Sequence, residues 1–390
     1  MQKTLIYTLA SASILTATYS GIIGLLYKAL GDPSAGLPIY VGPDIPNGRQ
    51  HPIPSPFGHR TRALDVVKGI DLRGKVVVIT GGHSGTGREA VRALVRAGAN
   101  VIVLARNVDR ARRRLSGITN TTVKCVDLLK PASIDAFATR FVQSGRPLHI
   151  LINSAAIMGT PLERDDRGYE RQFATNVLGH YQLTVRLLPA LERAQGARVI
   201  NVASRGHHAG GVLLDDINFQ HTPYTGMRAY AQSKTALILL SIKEDELWRD
   251  KQIRVFATTP GPVPTSDLFA AGAVGHKPSL QVGLRRLAAG TLRALLATEA
   301  LNLWRRPKNV GDLYKTVQQG GATATWAAVS RDLDGKGGVY LEDCDIAPAV
   351  LDEGRAPYGV KSWALDVSVA DQLWSLCETM TGVRAPTNGV

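Results

Sequence analysis

Tyr230 and Lys234, in the run Tyr230-Ala231-Gln232-Ser233-Lys234, are the residues whose types and spacing most directly suggest chemistry. Four positions apart on a helix, they share one face and stand one turn from each other. A phenol with an ordinary pKa of about 10 is a poor acid–base catalyst near neutrality. A neighbouring ammonium favours phenolate: at an effective dielectric of about 20, charges about 4 Å apart gain about 4 kcal/mol. That would bring the phenol near working pH. The same spacing also arises by chance on helix surfaces, so the neighbours decide. Ser204 follows the apolar run Arg198–Val202 and would sit at a strand's carboxyl end, where a hydroxyl can bond a substrate oxygen. Asn176 is an amide inside a long helical stretch that would ordinarily avoid one. Asn153-Ser154-Ala155-Ala156 ends another apolar run in small residues that let a cofactor approach. His207 and His208 could line the substrate pocket, although an exposed loop pair is the simpler reading, and no further ligands complete a metal site.

A nucleotide site is read from Thr80-Gly81-Gly82-His83-Ser84-Gly85-Thr86-Gly87, between the strand-like run Lys75–Thr80 and a helical pattern over Gly87–Ala97. Glycine lets the backbone turn sharply against a pyrophosphate, and a helix N-terminus offers free N–H donors. The spacing is wider than the usual dinucleotide fingerprint, so the flanking strand and helix carry the assignment. Gly81, His83, Ser84, Gly85, Thr86 and Gly87 are the candidate cofactor contacts. Where an NAD enzyme would place an acid against the ribose, the chain has Leu104-Ala105-Arg106, then Arg110 and Arg112 to Arg114. A guanidinium pairs bidentately with a 2′-phosphate, so Arg106 favours NADP(H) over NAD(H). Some of the later arginines read as a solvated helix face.

These groups need a scaffold, and the pattern supplies one. Short Val/Ile/Leu runs at Lys75–Thr80, Asn100–Ala105, Thr122–Val126, Leu148–Asn153, Arg198–Val202 and Arg254–Thr258 read as buried strands. Helical stretches alternate with them at Gly87–Ala97, Val108–Leu115, Ser133–Val142, Tyr169–Arg193 and Arg228–Arg249. The pattern predicts an α/β fold, a doubly wound parallel sheet of Rossmann type that binds ligands beyond its strands' carboxyl ends. A further helix is expected over Val310–Ser330 and a short strand at Gly338–Leu341. Composition agrees: of 390 residues, 44% are hydrophobic and 20% charged, which excludes disordered, collagenous and coiled-coil chains. Aromatics, at 6%, do not interleave with basic residues, so no nucleic-acid partner is expected. Cys125, Cys344 and Cys377 lack CxxC spacing, which counts against a disulfide framework and a zinc site. The net charge of +14 suits an anionic cofactor or a membrane surface without requiring DNA. No Gly-x-Ser-x-Gly elbow supports a hydrolase.

With these motifs in this order, the chain resembles the short-chain dehydrogenase/reductase family. It is most similar to the family's retinol-dehydrogenase-like and WW-domain-oxidoreductase-like branch. The likeness runs from about Pro54 to Gly382 and includes PFGHRTRALDVVKGIDLRGKVVVITGGHSGTGRE and GGVYLEDCDIA. The resemblance implies a catalytic tetrad of Asn176, Ser204, Tyr230 and Lys234. Tyr230 would exchange the proton, Ser204 orient the carbonyl or alcohol, Lys234 hold the ribose and lower the tyrosine pKa, and Asn176 support a water relay. It also implies cofactor contacts at Asp127 near the adenine, at Asn153, at Pro260 and at Thr265 near the nicotinamide carboxamide. Two departures stand out: Asn153-Ser154-Ala155-Ala156 replaces the family's Asn-Asn-Ala-Gly, and extra prolines occupy Pro260-Gly261-Pro262-Val263-Pro264-Thr265. The implied reaction interconverts an alcohol and a carbonyl on a small lipophilic substrate, such as a retinoid, steroid, fatty aldehyde or polyketide, under a loop around Pro260–Val310. Carbon–carbon double-bond reduction with the same Tyr and Lys, and an NADPH-sensing scaffold, are the alternatives; a homodimer is left open. Cys344 is read as structural.

Thr4 to Tyr27 is a 24-residue stretch without formal charge between Lys3 and Lys28. A helix of that length, at about 1.5 Å per residue, would span a hydrocarbon core of about 30 Å. Residues 1–30 are therefore expected to be a single-pass anchor in the endoplasmic reticulum or another intracellular membrane, with a cleaved segment or a core helix as alternatives. Residues 31–60, dense in Pro and Gly, read as a linker. Residues 61–345 form the dehydrogenase domain, and 346–390 a C-terminal extension packing on it.

Overall fold

The computed structural model describes residues 48–268, 314–350, 352 and 358–385. Its centre is an eight-stranded sheet in the order β3-β2-β1-β4-β5-β6-β7-β8. The strands are β1 Val76–Thr80, β2 Asn100–Ala105, β3 Thr121–Cys125, β4 Ile150–Asn153, β5 Ala197–Val202, β6 Ile253–Thr258, β7 Val339–Glu342 and β8 Asp345–Ile346. All pairs are parallel except β7 with β8. Strand order reverses between β1 and β4, and there a crevice opens at the carboxyl ends.

Near-continuous β-branched runs such as Val76-Val77-Val78-Ile79 suit strands covered on both faces. One face packs against helices α1 Ala63–Val66, α2 Gly85–Arg96 and α7 Ala322–Val329; the other is covered by α4 Pro131–Gln143, α5 Gly179–Glu192 and α6 Gly226–Trp248. Helix α3, Val108–Leu115, follows β2. The expectation of burial fails at β3, where Thr122, Lys124 and Cys125 are exposed. It is the sheet's edge strand, and Lys124 suits it to water. Within the described part of the helix expected over Val310–Ser330 there are two pieces, Val317–Gly320 and α7, and at their junction Gly320 and Gly321 sit against Thr86 with no room for a Cβ.

The end of the expected linker is docked. Gln50 is 3% exposed; its amide donates to the carbonyls of Tyr340 and Ala347 (2.8 and 2.5 Å) and accepts from Tyr340 N–H at 3.0 Å. Strands β9 Ala349–Val350 and β10 Val360–Lys361 pair beyond β8. Helix α8, Val367–Thr381, then lays Trp374 against Tyr181 and Trp248.

The expected membrane localisation is corrected. Among the described residues no helix is long and apolar enough to cross a membrane. The longest, α6 with 23 residues, carries Arg228, Lys234, Lys243, Glu244, Asp245 and Glu246, a load a bilayer core would not accept. The Thr4–Tyr27 stretch lies outside the described residues.

Candidate active site

The carboxyl ends of β1, β4 and β5 bring the predicted groups together. Gly81 and Gly85 have φ of +68° and +53°, which glycine adopts without strain. A Cβ on Gly81 would lie 2.9 Å from the Ala155 Cα, and one on Gly87 2.8 Å from the Gly81 carbonyl. The loop can therefore lie this close to its neighbours only without side chains at these positions. Thr80 fixes the opposite wall, its hydroxyl oxygen accepting from the N–H groups of Ser154 and Ala155 at 2.9 and 3.0 Å. Between them runs a crevice lined by Thr86, Gly87, Ser154, Val202, Thr258 and Pro260.

The side-chain-free loop and the polar groups around it suit a dinucleotide's phosphates. Thr258 Oγ1, His83 Nδ1 and Arg88 Nε are buried without partners among the described residues. Desolvation and then the guanidiniums of Arg114, Arg110 and Arg106 hold the His83 imidazole below its usual range. Positive charge thus gathers where β2 ends, around the exposed Arg106. Ser84 stands at the N-terminal boundary of α2 without a side-chain capping bond, and Thr265 is half-buried in the loop after β6. Asp127 shapes the turn after β3: its carboxylate accepts from Leu129 N–H and its own N–H donates to Ser133 Oγ, both at 3.1 Å. Asn153 is 1% exposed, and its amide donates to Thr184 Oγ1 at 2.9 Å and Asn201 Oδ1 at 2.8 Å. Its side chain therefore ties strand ends together beneath the crevice.

Asn176 sits inside a single π turn, Ala174–Leu178, that joins Arg171–Phe173 to α5. The helix does not avoid the amide; it rewinds around it, as π turns at functional sites do. Asn176 Oδ1 accepts from Ile157 N–H, and Nδ2 donates to the Ile157 carbonyl and Ser233 Oγ, each at 3.0 Å. Ser233 in turn donates to the Tyr230 carbonyl at 2.7 Å. Four residues on, His180 is buried between Thr80 Oγ1 (2.8 Å) and the Asn176 carbonyl (2.9 Å). Because the Thr80 oxygen already accepts two N–H groups, its hydroxyl hydrogen points at His180 Nε2. The proton of the ring is thus on Nδ1, and burial, the main cause, holds its pKa down to about 4. Sequence reasoning missed this residue; its signal was the four-residue spacing from Asn176.

Tyr230 and Lys234 are 5% and 2% exposed, with Nζ 5.5 Å from the phenol ring centre. The expected lowering of the tyrosine pKa by lysine is not seen in the chain alone. Burial pushes Tyr230 up to about 12, a Ser204 hydrogen bond pulling the other way, and burial brings Lys234 down to about 7. Desolvation disfavours both charged forms, and Nζ is turned to the Val202 carbonyl at 2.8 Å. His207 is not exposed: it is fully buried behind Ser204, with Tyr340 and His208 packed on its ring.

Beneath the site, Asn201 Nδ2 donates to Ser241 Oγ (3.0 Å) and Glu244 Oε2 (2.8 Å), and burial pushes the Glu244 carboxyl up to about 8. The raised pKa stabilises the fold fully below about pH 4.5, and that contribution is lost as pH rises through about 8. Glu244→Gln should therefore match wild type at pH 5 and exceed it by about 2–4 kcal/mol at pH 9, measured by urea unfolding. Equal stability differences at both pH values would refute this.

Comparison with known proteins places this arrangement. The family described as short chain dehydrogenase matches residues 75–271. "Short-chain dehydrogenase/reductase prx1" of Penicillium roqueforti is 30% identical over 332 residues, 82% of this chain and 90% of that protein. A "Probable oxidoreductase" of Streptomyces antibioticus is 36% identical over 314 residues, 78% of this chain and 97% of the relative. The crystal structure of an uncharacterized protein from Mycobacterium Paratuberculosis is similar with a TM-score of 0.60 and 26% identity, covering 84% of this chain and 100% of that one.

Proposed function

This chain belongs to the short-chain dehydrogenase/reductase family, and we propose that it is an NADP(H)-dependent enzyme interconverting an alcohol and a carbonyl on a small lipophilic substrate. The observation that carries the reading is the convergence of Ser204, Tyr230, Lys234 and Asn176 at the carboxyl ends of β4 and β5, beside the glycine loop that opens α2. NADPH would supply the hydride. Tyr230, protonated at neutral pH, is in the form that can give its proton to a carbonyl oxygen, and Ser204 beside it would orient that oxygen. Lys234 would hold the ribose, and Asn176 fixes the segment after β4 through Ile157.

Arg106, with Arg110 beyond it, supports the choice of cofactor, while Arg114 is ion-paired with Asp267. Arg106→Asp should weaken NADPH binding roughly 10–100-fold, the value of one charge-assisted contact, and leave NADH binding similar or better. Tighter binding of NADH than NADPH by the wild type, in a fluorescence titration, would sink the assignment.

The lipophilic class is supported by two exposed apolar side chains near the start of the helix that carries Tyr230. Gly226, at the start of α6, is packed against Gly159 and Thr160 with no room for a Cβ. This brings Leu162 and Met227, 42% and 53% exposed, to neighbouring positions on the chain segments that meet there. The expected covering loop lies mostly at residues 269–313, outside the described residues. NADPH consumption with ketones, aldehydes and unsaturated lipids tests the reading; turnover of unsaturated lipids alone would replace it with double-bond reduction.

A further inference from the structure

The loop that carries Ser204 is held from behind by chain beyond the part matched to the family, which ends at residue 271. Arg205 forms an ion pair with Glu342, whose second oxygen accepts from Gly359 N–H at 2.8 Å. His208 Nε2 donates to the Gly359 carbonyl at 2.9 Å, and Trp363 Nε1 to the His207 carbonyl at 3.1 Å. At the centre is the His207 ring. Its Nε2 faces the Lys361 N–H at 3.3 Å and must accept, because a backbone amide only donates. Its proton is therefore on Nδ1, which donates to the Ser204 carbonyl at 2.7 Å. The same carbonyl accepts the His207 N–H at 3.1 Å, so both its lone pairs are engaged. On the other side of the loop, a Cβ on Gly206 would lie 2.9 Å from the Tyr230 ring, and the Gly206 N–H donates to Ser204 Oγ at 2.9 Å.

We propose that His207 is the positioning residue for Ser204, and that the strap Gly359–Trp363 holds His207 in place. The imidazole joins two structures that the sheet does not connect: the serine loop after β5 and the C-terminal strap. Burial keeps it neutral, as an acceptor for Lys361 and a donor to Ser204 require. The inference rests on reading Ser204 as the hydroxyl that orients substrate.

The two ring nitrogens can be tested separately. His207→Asn puts an amide N–H where Nδ1 stood; His207→Gln reaches only the Nε2 position; His207→Leu keeps bulk alone. The probes are hydrogen–deuterium exchange over residues 203–210, and steady-state reduction of 4-nitrobenzaldehyde by NADPH. Leu is expected to speed exchange of the loop, lower kcat roughly tenfold or more and raise the aldehyde KM, with the NADPH Kd within about twofold of wild type. Asn should restore exchange and kcat to within about threefold, and Gln should not. Rescue by Gln equal to that by Asn, or wild-type exchange and kinetics in Leu, would overturn the proposal. If the aldehyde is not reduced, the exchange pattern decides alone. Undiminished turnover in Ser204→Ala would instead remove the role of Ser204, a separate outcome from failure at His207.

Discussion

Replacing Tyr230 by Phe is expected to lower turnover by about 10²–10⁴-fold, the usual contribution of a positioned general acid, and to leave NADPH binding within about twofold of wild type. The change removes one oxygen from a side chain that is 5% exposed and keeps the ring against Gly206. Packing therefore survives. The crevice residues Gly81, Gly87, Ser154 and Thr258 are untouched, so the cofactor's site survives too. Because burial holds the phenol near 12, reduction by the wild type should show no loss from tyrosine ionisation between pH 7 and 9. Single-turnover measurement of NADPH oxidation separates binding from the proton-dependent step. Near-normal turnover in the Phe variant would mean that another group supplies the proton.

The strands and helices that place these residues were legible because both periods are strong. Val76–Thr80 and Asn100–Ala105 are apolar runs that only a sheet covered on both faces accommodates, and the Gly-rich loop between them follows a strand and opens a helix. The strand at β3 lies where the sequence puts it but is not buried, because propensity does not distinguish a central strand from an edge. Asn176 was legible as an oddity in a helix; that the helix answers with a π turn was not, since the cause lies in Ile157 and Ser233, 19 and 57 residues away. His207 shows the same limit. A pair of histidines after Ser204 reads as an exposed loop until Lys361, 154 residues on, folds over it. The tyrosine–lysine argument found the right pair and treated their electrostatics too simply. It counted the attraction of ammonium for phenolate and omitted the desolvation that both pay inside the domain.

That omission leads to the second large effect: Lys234→Met should be inactive and, at or below neutral pH, more stable than wild type. Activity is lost because the ammonium is proposed to hold the ribose beside Tyr230, so both NADPH affinity and turnover should fall. Stability follows from burial. Lys234 is 2% exposed, and desolvation lowers its pKa from the ordinary 10.5 to about 7. A lysine with a depressed pKa stabilises the fold above about pH 10.5, and that contribution is lost as pH falls through about 7. Methionine, similar in length and uncharged, carries no such dependence. It forfeits the hydrogen bond to the Val202 carbonyl at every pH, a constant of about 1 kcal/mol that cancels when two pH values are compared. The stability of the variant relative to wild type should therefore drop by about 3–5 kcal/mol between pH 6.5 and pH 10.5, in urea unfolding of both proteins. A difference that stays constant across that range would show that Lys234 keeps its ordinary basicity in the folded chain. The lysine would then be solvated or paired, and its position beneath Tyr230 would have to be read differently.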